Sequence, residues 1–364
     1  MKTKAKHKKY LIALLVQGFL LALLEYFKQS PTWVEQYYSQ QFYPWFAYLP
    51  KALFGMLPFS VGDILYLLLG GGLLWNFLHF CWFLGKAHWQ QAQMQFLRCL
   101  LLALGAYLYF YISWGLQYYR IPLQQQLGLQ IDSISHADYL QLVDRYINQT
   151  NQLRAQLDTS RLDKKEAREN LEKWLLTSQD QLPMLSRSHI QVKQPLSSSL
   201  ASYFTVSGYF NPFSQEVQVN ELMPKTSYPF TVVHELTHQM GIGFEDECNF
   251  VAFLMLHRHP NVWYRYAAYY ETLQYLLRPL YVQNPECYKY YFAKLSPEVR
   301  SDYEKERAFW APYYGRFNEL TSLFYGSYLQ HNNQPEGMAR YSLMSRLVVA
   351  WERQQDGRRG IKQS

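Results

Sequence analysis

Residues 231–250, TVVHELTHQMGIGFEDECNF, place two histidines four positions apart, with a glutamate directly after the first histidine. Positions i and i+4 share one face of an α-helix, so His234 and His238 can offer two imidazole nitrogens to one ion. Glu235 occupies the position of the general base in the HExxH pattern of zinc-dependent hydrolases. The stretch therefore predicts a helix that carries two metal ligands and a base.

A second helix is expected directly after the first. Gly241 and Gly243 limit the first helix to about Met240, because glycine favours helix ends over helix interiors. A tight reversal would then start the second helix at about Phe244. This predicts a helix–turn–helix that returns the acids of residues 245–247 toward the histidines.

The three acids of the second helix are not equivalent. Glu245, in the first turn, would lie beside His238, whereas Glu247 projects about 200° away round the helix. We predict Glu245 as the third metal ligand and keep Glu247 as the alternative. Asn249, one turn after Glu245, is expected to hold a ligand in place, and Asp246 to interact with the helix dipole.

The HExxH pattern alone is moderately specific, because a polar helix can carry it by chance. Val232, Val233 and Leu236 indicate a partly buried helix, in which two histidines and a glutamate need partners that a metal would supply. Two alternatives stay open. One is a capped helical hairpin with solvated acids, and the other is a zinc site that cleaves nothing.

Three apolar runs long enough to span a bilayer occur at about 10–27, 64–84 and 96–116. Five lysines fall in the first nine residues, and such lysine-rich flanks stay in the cytoplasm. An odd number of spans then places the C-terminal part outside. We expect a membrane domain at 1–118 and an extracytoplasmic domain at 119–364, in a multi-pass protein of the inner or plasma membrane.

The loop between the first two spans, residues 33–60, is rich in tryptophan, tyrosine, phenylalanine and proline. It is expected either to lie in the headgroup plane or to pack on the outer domain. The sequence does not choose between these two arrangements.

The outer domain is predicted to be mainly helical with a small β element. The strand signals lie within 194–220, where Val217 and Val219 alternate with polar residues. Segment 214–220 is either an edge strand that pairs with an extended peptide or an ordinary strand. Helices are predicted at 136–157, 164–178, 245–257, 261–282, 298–310, 316–331 and 338–354.

Composition excludes two classes of protein. The net charge of +7 comes largely from the N-terminal lysines, and the absence of a basic patch on the outer domain argues against nucleic-acid binding. The four cysteines form no CxxC pair, which argues against a thiolate zinc site or a disulfide-dense secreted scaffold. A Cys248–Cys287 bridge has no support in the sequence.

Several stretches resemble a bacterial family known as domain of unknown function 3810. They are HELTHQMGIGFEDECNFVAFL (234–254), LPFSVGDILY (57–66), WGLQYYR (114–120), SGYFNPFSQEVQVN (207–220) and YGSYLQHNNQPEGMARYSLMSRLVVAW (325–351). They cover most of the chain in the expected order. The resemblance implies a zinc metallopeptidase-like membrane protein with N-terminal helices.

The stretch EDECN also resembles the E-x-x-A-D/N pattern of other gluzincins, in which the first glutamate is a zinc ligand. That likeness favours Glu245, while Cys248 stands where alanine is usual. The link from His238 to Glu245 is much shorter than in those relatives. The likeness therefore supports the ligand but not the surrounding loop.

Together, the sequence predicts a three-span membrane protein with a gluzincin-like domain that binds Zn²⁺ through His234, His238 and Glu245. Glu235 is the expected base for hydrolysis of a peptide or related amide bond. The expected partners are a lipid bilayer and a peptide or protein substrate. A non-catalytic envelope scaffold or binding protein with a structural zinc is the alternative. Candidates for an oxyanion-stabilising group lie near the C-terminus: Tyr325, Tyr328, His331, Arg340 and Arg346.

Overall fold

The computed structural model describes residues 2–131, 135–178, 182, 184–185, 190–334 and 343–363. These residues are mainly helical and include a three-stranded sheet. The chain divides into two compact units. The first contains residues 1–120 and 211–216, and the second contains residues 121–210 and 217–364.

The first unit contains the long apolar helices. Its elements are α1 (Lys2–Lys28), α2 (Pro31–Trp33), a π-helix (Val34–Phe42), α3 (Tyr43–Gly55), α4 (Val61–Gly85), α5 (Trp89–Ser113) and a 3₁₀-helix (Gly115–Tyr119). Three segments are long and apolar enough to cross a membrane: Lys6–Lys28, Val61–Gly85 and Trp89–Ser113. The predicted number of candidate spans is confirmed.

The third span lies further toward the N-terminus than its hydropathy suggested. α5 begins at Trp89, so the interval 85–95 between the second and third apolar runs shortens to a turn at residues 86–88, where Ala87 has φ 58°. The helix ends at Ser113, because Trp114 adopts φ −162°. Hydropathy locates the apolar part of a helix, whereas backbone hydrogen bonding sets its ends.

The aromatic loop 33–60 belongs to the first unit and is almost entirely helical. It exposes several large apolar side chains, including Trp45, Leu49, Leu53 and Met56. A buried ion pair anchors its start, where the Arg120 guanidinium donates to Glu35 through Nε at 2.8 Å and Nη2 at 2.6 Å. This two-point contact pairs two buried charges, each of which would destabilise the fold without a partner of opposite sign.

The short segment Asn211–Glu216 joins the first unit although it lies far along the chain. The buried Glu216 carboxylate accepts hydrogen bonds from Val61 N at 3.3 Å and Gly62 N at 2.6 Å. These are free amide groups at the start of α4, where a negative charge is stabilising. Gly62 is required there, because an added Cβ would overlap the Asn211 side chain.

The second unit contains the remaining helices and most of the sheet. Its helices are α6 (Leu123–Gln126), α7 (His136–Gln156), α8 (Lys164–Ser178), α9 (Ser198–Tyr203), α10 (Tyr228–Gln239), α11 (Glu245–Leu256), α12 (Val262–Gln283), α13 (Pro285–Ala293), α14 (Pro297–Trp310), α15 (Arg316–His331) and α16 (Leu343–Gln363), with 3₁₀ turns at Thr159–Arg161 and Ala311–Tyr313. The helices predicted between 136 and 331 are present. α13 was not predicted, although Asn284 caps it and Pro285 begins it.

The sheet contains β1 (Val192–Lys193), β2 (Gly208–Asn211) and β3 (Glu216–Val219) in the order β1–β3–β2. β1 runs parallel to β3, with Val192 opposite Val217. Of the two alternatives for segment 214–220, the ordinary strand is confirmed and the edge strand is wrong, because β3 has a partner on each side and all its residues are buried. Alternating sequence marks a strand but does not reveal its place in a sheet.

The core of the second unit forms around α10, α11 and α12, which pack against one another. Nearly every residue of α10 and α11 is buried, including polar ones. Because they are buried, the polar side chains of α10 and α11 must find their partners within this core.

All four cysteines are free thiols, so Cys248 and Cys287 form no bridge.

We expect Glu35→Gln to destabilise the protein by about 3–5 kcal/mol, because it leaves the Arg120 charge buried without its counterion. Thermal unfolding of the full-length protein in detergent micelles measures the effect. Glu286→Gln is the matched control, since it removes an acid from the exposed Lys289–Glu286 pair. Equal melting temperatures for the two variants would contradict the assigned role of the Glu35–Arg120 pair.

Candidate metal centre

α10 has a buried apolar face that holds the polar pattern in place. Val232, Val233 and Leu236 are fully buried, as their sequence pattern predicted, and Glu235 and His238 are buried with them. The two histidines lie on one face, with ring centroids 4.9 Å apart. The apolar residues of α10 therefore hold two imidazoles and a carboxylate away from bulk water.

A left-handed glycine ends α10 and starts the return of the chain. Gly241 has φ 96°, a conformation that side chains with a Cβ rarely adopt. Its N–H donates to His238 O at 2.9 Å, and Ile242 N donates to Thr237 O at 3.2 Å. This is the Schellman pattern, which satisfies the last carbonyls of α10 and lets α11 begin at Glu245.

The turn also orients His238. Its Nδ1 lies 2.9 Å from the carbonyl oxygen of Ile242. A carbonyl only accepts, so Nδ1 carries a proton and Nε2 is the nitrogen left for another partner. The Cys248 sulfur lies 3.3 Å from the same Nδ1, so Cys248 packs directly against a histidine of the pair.

His234 is oriented in the same way from α11. Its Nδ1 lies 2.8 Å from Oδ1 of Asn249, the residue predicted to hold a ligand in place. With Nδ1 directed at Asn249, Nε2 of His234 is the nitrogen that faces the other way. The two imidazoles thus present the same nitrogen to one side of α10.

Glu245 faces both of these nitrogens. Its Oε2 lies 3.1 Å from His234 Nε2, and its Oε1 lies 3.6 Å from His238 Nε2. Ligand atoms about 2.0–2.2 Å from a tetrahedral zinc are about 3.3–3.5 Å apart. Both distances between Glu245 and the histidines are close to that spacing. Tyr325 OH donates to Glu245 Oε1 at 2.6 Å and fixes the carboxylate.

The charges within the cluster are strongly coupled. Burial would raise the pKa of the Glu245 carboxyl, but His238 and hydrogen bonds from both imidazoles hold it well below its usual range. Burial lowers the pKa of His238, but Cys248 and Glu245 raise it well above the ordinary value. Glu245 is consequently an anion that favours a positive charge at the position shared by the two Nε2 atoms.

Glu235 completes the cluster. One ligand atom from each of His234, Glu235 and His238 lies within 4.8 Å of the others. Burial raises the pKa of Glu235 to about 6, against the opposing effect of the two histidines. Such a carboxylate is a proton acceptor close to neutral pH.

Gly208, at the start of β2, gives Glu235 its space. A Cβ at this position would lie 2.7 Å from Glu235 Cγ and 3.1 Å from the Gln218 carbonyl oxygen. Nothing local in the sequence reveals this contact. Tyr325 was one of five oxyanion candidates, and the structure instead shows it bonded to Glu245.

The other candidates occupy different places. Glu247 Oε1 accepts from the backbone N–H of Leu123 at 2.6 Å, so this carboxylate holds the start of α6. Asp246 is buried in the first turn of α11. Tyr328 stacks on Tyr325, with ring centroids 6.1 Å apart. Of the remaining oxyanion candidates, His331 ends α15, Arg346 lies in α16 and Arg340 lies outside the described residues.

The chain matches the model of the family described as "Protein of unknown function (DUF3810)" over residues 38–349. It therefore belongs to that family, and the resemblance seen in the sequence is confirmed. Comparison with curated proteins and with solved structures gives no match. The metal and the chemistry of the cluster stay predictions.

We expect Gly208→Ala to destabilise the protein by about 1–3 kcal/mol, because the added methyl group overlaps Glu235. In a Glu235→Ala background, Gly208→Ala should destabilise the protein less. The difference between its effects in the two backgrounds is the coupling energy of Gly208 and Glu235. Thermal unfolding of the four proteins measures it. Gly315→Ala is the control, since no atom lies within 4 Å of its added Cβ. A coupling energy of zero would show that Gly208 does not make room for Glu235.

Proposed function

We propose that this chain is a membrane-anchored zinc metallopeptidase, which hydrolyses a peptide or related amide bond outside the cytoplasm. One observation carries the proposal. Both histidines commit Nδ1 to an acceptor, and both present Nε2 to the Glu245 carboxylate at 3.1 and 3.6 Å. Two imidazole nitrogens and one carboxylate oxygen match the ligand set of many catalytic zinc sites.

The surrounding residues support a hydrolytic role. A zinc ion in such a site acidifies bound water and polarises a carbonyl group. Glu235, with a pKa raised to about 6, accepts the proton of the attacking water and returns it to the leaving amine. Asn249 and Tyr325 hold ligands in place, and their effect on the reaction is indirect.

β2 is the strand that suits an extended substrate. It is an edge strand of the sheet that the described residues form, and its first residue, Gly208, contacts Glu235. An extended peptide that adds to a sheet edge places its own amide bonds at a fixed distance from that edge. This supports a peptide as substrate. β2, rather than segment 214–220, is then the strand that pairs with the extended peptide.

The location outside the cytoplasm rests on the three candidate spans and on the five lysines among the first nine residues. These lysines favour a cytoplasmic N-terminus. Residues 121–364 then follow the third span on the opposite side. Cleavage within the bilayer is disfavoured, because the cluster lies more than 100 residues beyond that span.

A structural zinc in a non-catalytic envelope protein is the second candidate function. The position of Glu235 within 4.8 Å of both histidines favours it, because a fourth protein ligand closes a structural site. The two functions assign opposite roles to Glu235. If Glu235 is a base, neutralising it leaves the zinc affinity unchanged. If Glu235 is a ligand, neutralising it lowers the zinc affinity.

Zinc binding by the full-length protein in detergent separates these functions. We expect one zinc per chain in the wild type, in Glu235→Gln and in Glu247→Gln. Glu245→Gln removes a ligand charge, so it should lose zinc or bind it about 100-fold or more weakly. Metal analysis after dialysis and titration with a competing chelator provide the measurement. Loss of zinc in Glu247→Gln with retention in Glu245→Gln would reverse the ligand assignment.

A hydrolytic assay with a library of quenched fluorescent peptides completes this test. Glu235→Gln should bind zinc and show at most about 1% of wild-type turnover, because its base is absent. Loss of zinc in that variant would favour the structural site. Zinc binding with unchanged turnover would refute the role of Glu235 as base.

Cysteine labelling tests the orientation. In a background without native cysteines, Glu304→Cys should react with a membrane-impermeant maleimide in intact cells, because it lies on the exposed face of α14. Lys86→Cys, in the exposed turn between α4 and α5, should react only after permeabilisation. The reverse pattern would place the cluster in the cytoplasm.

A further inference from the structure

A cavity of about 620 Å³ lies among α12, α13 and α14, outside the metal cluster. This volume is typical of ligand sites, which range from about 300 to 1,000 Å³. α12 contributes Glu271 and Tyr275, and α14 contributes Glu306 and Trp310. The wall thus combines two carboxylates with aromatic rings.

The Glu271 carboxylate is incompletely satisfied. Its Oε2 accepts from Gln274 Nε2 at 3.3 Å, but its buried Oε1 accepts no hydrogen bond from any described residue. Burial raises the pKa of Glu271 well above its usual value, and neighbouring Glu306 raises it further. A buried carboxylate oxygen that accepts no hydrogen bond is costly, and a bound cation would remove that cost.

Glu306 is oriented by two hydroxyl groups. Tyr270 OH donates to its Oε2 at 2.6 Å, and Ser227 Oγ lies 3.1 Å from its Oε1. Burial raises its pKa as well. Both acids are therefore fixed at the wall of one cavity, where they lower the energy of a positive charge more than either would alone.

The aromatic residues suit the same kind of ligand. Tyr303 and Trp310 line the cavity from α14, and Tyr288 lines it from α13. Aromatic faces attract ammonium and guanidinium groups and pack against the methylene groups that carry them. Arg278 and Arg307 also line the cavity, but their side chains are exposed.

The cavity and the metal cluster are connected through α12, which lines the cavity and packs against both α10 and α11. Tyr275 lines the cavity. Burial is the main cause of its raised pKa, and the charges of Glu271 in the cavity and Glu245 in the cluster raise the pKa further. Ser227, which contacts Glu306, is the residue before α10. A peptide held at the cluster would therefore have a side-chain cavity within reach.

We propose that this cavity binds the basic side chain, lysine or arginine, of the peptide that the metal cluster cleaves. The proposal rests on the proposed peptidase function for its substrate, but its cation preference follows from Glu271 and Glu306 alone. The HExxH pattern by itself does not predict this preference for basic peptides.

Peptide binding to metal-free, full-length protein tests the cavity without hydrolysis. The probes are fluorescein-labelled pentapeptides that differ at the central residue: lysine, norleucine or glutamate. Fluorescence anisotropy should show that the lysine peptide binds about tenfold or more tightly than the norleucine peptide. Glu271→Gln should remove most of this preference, and Glu271→Gln with Glu306→Gln should abolish it.

Glu304→Gln is the matched control, because Glu304 lies on the exposed face of the same helix as Glu306. It should leave the preference unchanged, and circular dichroism confirms that each variant is folded. Equal binding of the lysine and norleucine peptides overturns the proposal. Tighter binding of the glutamate peptide also overturns it, and would assign the cavity to anions through Arg278 and Arg307.

The two proposals fail in different experiments. A protein that binds no zinc but still prefers the lysine peptide refutes the peptidase and supports the cation preference. A protein that binds zinc and hydrolyses peptides without any preference for a basic residue supports the peptidase and refutes the cavity. Zinc content of Glu271→Gln should equal that of the wild type, because Glu271 is not a ligand.

Discussion

The second unit depends on one constraint: polar groups buried between α10 and α11 must satisfy one another. His234, His238 and Glu245 have little contact with water, and a buried imidazole or carboxylate without a partner destabilises the fold. The two histidines of α10 therefore face Glu245 of α11 across the helix pair. The same convergence that satisfies the core gathers the residues that we propose as zinc ligands, so stability and proposed chemistry share one set of contacts.

The residues behind these side chains determine which atoms converge. The carbonyl oxygen of Ile242 and the amide oxygen of Asn249 each hold one Nδ1 atom. That leaves both Nε2 atoms on the side of Glu245. The left-handed turn at Gly241 supplies the first acceptor, and the first turns of α11 supply the second. The turn thus sets both the path of the chain and the tautomer of His238.

Two kinds of carboxylate occur in this core, and their environments separate their roles. Glu245 is paired with histidines, which keep its pKa low, whereas Glu235 and Glu271 are dominated by burial, which raises theirs. A paired anion suits a permanent ligand, and a carboxylate with a raised pKa suits proton transfer or the capture of a cation. The proposed base and the proposed recognition cavity are consistent with this difference.

The sequence by itself determined the features that depend on neighbouring positions. Apolar length predicted three candidate spans, the i, i+4 rule placed His234 and His238 on one face, and helix geometry placed Glu245 apart from Glu247. Only the tertiary structure showed that Tyr325 holds Glu245 across 80 residues, that Gly208 makes room for Glu235, and that β3 is a central strand. Periodicity describes one segment at a time, whereas these contacts exist only after distant segments pack, and packing is not written in local spacing.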